Sequence, residues 1–155
     1  MRHGIGLALL AAAALACGAS AVADAPSKAQ TSVDQRVAAM KQMGGKVNEA
    51  FQLSGTNAAD ARTKLAAALT IAQTIPSMFP KGTGDGDPGV TSSRAVAKIW
   101  SDQAGFQKAS DGLVAAMKAA DEKLAANDAA GADAAFGDVR KACGACHQDY
   151  RGPAK

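Results

Sequence analysis

Four stretches of this 155-residue chain repeat apolar or small residues at alternating spacings of three and four, a pattern that demands helices burying one face each. The first reads Val33, Val37, Met40, Gly44, Val47 and Phe51. The second reads Ala61, Leu65, Ala68, Ala72 and Ile75, with Leu69 beside it. It opens after Ser54-Gly55-Thr56-Asn57, where Asn57 suits a helix cap, and it ends where Pro76 discourages continuation. The third carries Phe106, Leu113, Met117, Ala120 and Leu124, and the fourth Ala132, Phe136, Val139, Cys143, Cys146 and Tyr150, with Asn127 and Asp128 as punctuation between them. The stretch from Pro80 to Gly89 is too rich in Gly and Pro for regular structure and reads as a long loop. Two short links and one long one predict an all-α fold, an antiparallel up-down-up-down four-helix bundle, with no strand required.

Ahead of the helices, Arg2 and His3 precede an apolar run from Ile5 to Ala16 and the small triplet Ala21-Val22-Ala23. That is the pattern of a secretory signal peptide, and the run falls well short of the ~20 residues needed to cross a bilayer. Residues 1–23 are therefore expected to be cleaved, leaving 24–155 as a single domain in the periplasm. Cys17, preceded by Ala14-Leu15-Ala16, is a rival site for lipid modification, but a Leu is normally wanted where Ala14 stands. The formal net charge is +3, both signs are interspersed along the chain, and aromatics make up only 4%. Nucleic-acid binding has no basis in such a surface.

The facing stripes are dominated by Ala, so the side chains alone would fill a bundle interior poorly. Either the alanines draw the helices close together or an embedded apolar group supplies the missing volume. The fourth helix contains a candidate for holding one. After the leader, the chain keeps Cys143 and Cys146, a single histidine, His147, and the methionines Met40, Met43, Met78 and Met117. Cys143-Gly144-Ala145-Cys146-His147 is the pattern through which c-type haem is attached. At 3.6 residues per turn, positions 143, 146 and 147 share one helix face, so two thiols can bond the vinyl groups while the adjacent imidazole reaches the iron. A structural zinc site would need a fourth good ligand. A redox dithiol belongs beside a strand–helix unit, and a plain disulfide would leave His147 without a role. One covalent haem c per chain is the expected cofactor, with Cys143 and Cys146 as attachment points and His147 as the proximal iron ligand. Bis-histidine ligation is impossible with one histidine. The sixth position is then open or taken by a methionine, and either methionine ligation for electron transfer or an open apolar side for small gases fits this inventory.

Taken together, the chain resembles the cytochrome c′ family. The resemblance spans most of residues 24–155 and is carried by Phe136-Gly137-Asp138-Val139, the attachment motif and Tyr150-Arg151, by Ile99-Trp100-Ser101-Asp102 with Phe106, and by Arg36-Val37-Ala38-Ala39-Met40 with Met43. It implies a five-coordinate, mostly high-spin haem sunk between helices, with an apolar distal side that admits nitric oxide or carbon monoxide. It also implies Met40 at the distal position, Met43 against the haem, Arg36 near the propionates, Val37 and Asp87 at the haem edge, and Arg151 beside the proximal face. Many members have Leu or Phe where Met40 stands. Low-spin relatives use a first-helix methionine as sixth ligand and carry electrons, so Met40 is also the candidate sixth ligand. Gly144 replaces a lysine often found inside the motif.

The expected protein is therefore a gas-binding or electron-carrying haem protein and not an enzyme, since a peroxidase would want a distal acid and base. The resemblance implies a homodimer through the first helices, where Ala38 lies beside Lys41. Arg140, Lys141, Arg151 and Lys155 could steer an acidic redox partner, although solubilising charge explains them more simply.

Overall fold

The computed structural model describes residues 25–154; the expected leader, 1–23, lies outside the described residues. Four long helices are joined by two short links and one long connection: α1 (Lys28–Leu53), α2 (Ala58–Ala72), α4 (Gln103–Ala125) and α5 (Ala129–Tyr150), with a four-residue α3 (Lys98–Ser101) inside the long connection. The bundle expected from periodicity is the one observed.

Local chemistry sets the helix ends. The side chains of Ser27, Asn57, Asp102 and Asp128 each accept a backbone N–H three residues on, capping α1, α2, α4 and α5 in turn. The second stripe points to Ile75, yet α2 stops at Ala72 and continues as a turn into a 3₁₀ segment, Pro76–Met78. The proline ring would collide with the carbonyl four residues back, which is that of Ala72. Asn127 adopts φ 54° to reverse the chain before Asp128 starts α5. The Gly131 N–H holds the Asp128 carboxyl below its ordinary pKa, with Lys123 adding to the effect against a small opposing loss of solvation. A depressed carboxyl stabilises the fold above its unfolded pKa and loses that contribution as pH falls through the folded value. Asp128→Ala should therefore lower the denaturation midpoint at neutral pH, and the gap from the parent protein should close in acid titrations below pH ~4.

Ala50, Ala61, Ala68, Ala72, Ala120 and Ala132 are fully buried, interleaved with Leu65, Met117, Leu124, Phe136 and Val139. Thus the alanines do draw helices together, at the α1–α2, α2–α4 and α4–α5 contacts. The remaining side of the ring differs. α1 and α5 make no comparable backbone approach, and they meet through Phe51 packed edge-on against Phe136 at 5.7 Å and Arg140 stacked over Phe51 at 4.6 Å. A cleft between these two helices follows.

The long connection is folded onto the N-terminal half of α1. Gln30 accepts the N–H groups of Thr91 (2.7 Å) and Ser92 (3.1 Å), and the Ser27 hydroxyl donates to the Gly89 carbonyl. No strand was expected. The one extended pairing among the described residues is an isolated antiparallel bridge between Ala95 and Arg151.

Candidate haem site

Cys143, Cys146 and His147 lie on the last turns of α5 and are all half-buried, so the attachment motif sits on a wall of the bundle and not in its packed centre. Burial pushes both thiols above their ordinary pKa, with the Cys143 and Asp149 charges adding to the rise at Cys146. A redox dithiol needs the opposite shift. Among the described residues no group of three or more His, Cys, Asp or Glu side chains forms a metal-binding cluster. At His147, burial first and then the positive charges of Arg151 and Arg94 hold the imidazole below its ordinary pKa, favouring the neutral ring that ligates metals.

The opposite wall is α1, and the register between the two walls can be counted from the Phe51–Phe136 contact. Met40 lies 11 residues before Phe51, and His147 lies 11 residues after Phe136. The helices run antiparallel, so both residues stand about 16 Å from that contact at 1.5 Å per residue, and 11 residues return each to nearly the same helix face. Met40 and His147 therefore share a level across the cleft.

Two observations describe the walls on either side. Val37, on the α1 wall, is 44% exposed and is the large hydrophobic residue left uncovered among the described residues. α5 carries two half-buried thiols and an imidazole on one helix face.

The remaining expected residues distribute unevenly. Met40 is half-buried and packs against the core cluster, whereas Met43, at 6% exposure, is part of that cluster. Met117 is fully buried in α4. Asp87 staples its own loop, its carboxylate accepting the Gly84 N–H at 2.6 Å. Arg151 is exposed just beyond α5. Lys141 pairs with Asp138 at 2.9 Å and Arg140 stacks on Phe51, so two of the cations considered for docking already have intramolecular partners. Lys155 lies outside the described residues.

Arg36 is the most constrained of the group. It is 4% exposed, and its guanidinium donates to the Thr83 hydroxyl (2.7 Å), the Thr83 carbonyl (2.6 Å) and the Ser93 hydroxyl (2.7 Å) while stacking on Phe79 at 4.7 Å. Burial lowers its pKa, and the partners that hold the cation are neutral oxygens and a ring face. Sequence reasoning did not identify Thr83, Ser93 or Gln30. The signal present was a cation, Arg36, spaced three from Val33 and four from Met40 and therefore carried on the buried stripe.

Residues 31–151 match the cytochrome C' family model. The chain belongs to the cytochrome c′ family. Its relatives include a cytochrome c-556 of Agrobacterium tumefaciens, 36% identical over 77% of this chain and 95% of the relative, and a cytochrome c' of Rhodopseudomonas palustris, 34% identical over 79% and 84%. Among solved structures, the nitric oxide complex of a variant of cytochrome c prime from Alcaligenes xylosoxidans superposes with a TM-score of 0.71, at 26% identity, covering 82% of this chain and 98% of that one. As a cytochrome c′-family protein the chain carries covalently bound haem c, for which Cys143 and Cys146 supply the attachment motif on α5.

Proposed function

We propose that this cytochrome c′-family protein is exported to the periplasm and binds nitric oxide or carbon monoxide on an apolar side of its haem, with one-electron transfer as the accompanying activity. Cys143 and Cys146 hold the group by thioether bonds and His147 ligates its iron. When bound, the haem supplies an iron that exchanges one electron and takes a small ligand. The observation that carries the gas reading is the make-up of the wall opposite His147. Val37, Met40 and Gly44 offer no hydrogen-bond donor beyond the helix backbone, and Arg36, one turn away, is already committed to Thr83 and Ser93. Such a wall favours uncharged diatomic ligands over water or anions. The solved nitric oxide complex of the Alcaligenes xylosoxidans relative agrees with this reading. Adding nitric oxide to the reduced protein should shift the Soret band; an unchanged band refutes gas binding.

A second reading rests on the shared level of Met40 and His147. A thioether opposite the imidazole can serve as sixth ligand, giving a low-spin electron carrier. Met40→Ala separates the two readings. Under the first, the spectrum of the ligand-free protein changes little and gas binding is retained or strengthened. Under the second, a sharp low-spin spectrum converts to a high-spin one.

Dimerisation through the outer face of α1, where Ala38 and Lys41 are both exposed, completes the proposal. Sedimentation at micromolar concentration should return twice the monomer mass, and a monomer alone rejects it. A partner protein that exchanges electrons would approach the exposed edge of α5.

A further inference from the structure

The helical turn that carries His147 is tied down by a segment more than fifty residues earlier. α5 ends at Tyr150, and Arg151 leaves it extended (φ −123°, ψ 119°), its N–H donating to the His147 carbonyl at 3.1 Å. Arg151 then bridges to Ala95. The Val96 N–H donates to the Tyr150 carbonyl (3.4 Å), and the Gly152 N–H to the Arg94 carbonyl (2.7 Å). The Arg94 side chain closes the clasp, its Nε donating to the carbonyls of Gly152 (2.8 Å) and Pro153 (2.9 Å). On the other side of the same turn, the Tyr150 hydroxyl donates to the Asp102 carboxylate at 3.0 Å.

Two consequences follow from elementary physics. The last turn of a helix has unpaired carbonyls and frays unless something holds the chain beyond it. Here the Arg94 Nε–H, shared between two carbonyls, holds Gly152 and Pro153 just beyond α5. Neutral carbonyls, moreover, anchor the guanidinium without cancelling its charge. Asp149, two residues after His147, is already paired with Lys98 at 3.6 Å. The bridge and the Gly152 hydrogen bond bring Arg94 and Arg151 together at the exit of α5, four residues past His147.

We propose that Arg94 is a positioning residue for His147: it fixes the exit of α5, and so the orientation of the ring, and it keeps a positive charge at that end of the helix that favours ferrous over ferric iron. The inference rests on the reading of His147 as the iron ligand. Oxidation adds a positive charge at the iron, and a nearby cation opposes it. Arg94 is exposed, so salt screens the effect.

The test compares the parent holoprotein with Arg94→Gln and Arg94→Lys, by midpoint potential at low and high salt and by the hyperfine-shifted imidazole proton resonances of the ferric protein. Arg94→Gln should shift the ferric-to-ferrous ratio about threefold to tenfold toward ferric, up to about 59 mV for one electron, with a smaller shift at high salt and displaced imidazole resonances. Arg94→Lys keeps the charge but not the Nε–H that both carbonyls share, so it should retain most of the potential while still moving the resonances. An Arg94→Gln protein that is merely less stable, with potential and resonances unmoved, overturns the inference. Should that variant fail to fold, unmoved resonances in Arg94→Lys overturn it equally. If the parent protein itself shows no hyperfine-shifted imidazole resonances, the reading of His147 as ligand is what fails.

Discussion

Replacing Cys143 and Cys146 together with alanine abolishes covalent haem: the expected protein, if it retains haem at all, gives it up entirely to acidic organic extraction, whereas the parent keeps it. Either single substitution should leave one thioether and a shifted reduced absorption band. The expectation follows from placement. Both sulfurs lie on the α5 wall within one turn of His147, and no other cysteine lies among the described residues to substitute for either. The consequence extends to stability. α1 and α5 touch at the Phe51–Phe136 end and are otherwise joined through whatever lies between them, so loss of the covalent group should also weaken the bundle toward denaturant. Extraction followed by equilibrium unfolding measures both effects. Full retention of haem by the double variant would mean that the attachment lies elsewhere.

Arg36→Leu should be the most damaging substitution away from the motif, destabilising the fold by about 3 kcal/mol. The guanidinium makes three hydrogen bonds to the long connection at a site only 4% exposed, and Phe79 stacks on it. Leucine removes the donors and leaves the Thr83 carbonyl without its strongest one, while Ser93 still reaches that oxygen at 3.2 Å. Arg36→Lys should recover only part of the loss, because one ammonium cannot span the Thr83 and Ser93 oxygens as a planar fork does. Since Arg36 lies one turn before Met40, loosening the connection should also alter the haem spectrum. Denaturation midpoints of the three proteins decide the matter, and a loss below about 1 kcal/mol for Arg36→Leu contradicts the role given to the network.

The long helices were legible because burial imposes a period, and Val33 through Phe51 or Ala132 through Tyr150 display it over many turns. α3 was not, since four residues show no period, and its start depends on the connection being folded against α4 and α5. The early stop of α2 was legible in cause but not in place: Pro76 acts on Ala72, four residues back. In the site, Cys143, Cys146 and His147 stood out because few chemistries use that spacing. Thr83 and Ser93 could not be found the same way, because they reach Arg36 across 47 and 57 residues of chain, and hydroxyls in a polar loop look alike until the fold selects two. Val37 is assigned to the haem edge by resemblance alone, and the fold leaves it exposed on α1.

The central claim is that the iron's side opposite His147, the side faced by Met40, is open to a small gas, and the direct measurement is the absorption spectrum of the reduced protein before and after carbon monoxide. The account predicts a broad high-spin spectrum that shifts on addition of the gas. A sharp low-spin spectrum that does not respond contradicts it and identifies Met40 as a permanent ligand of an electron carrier.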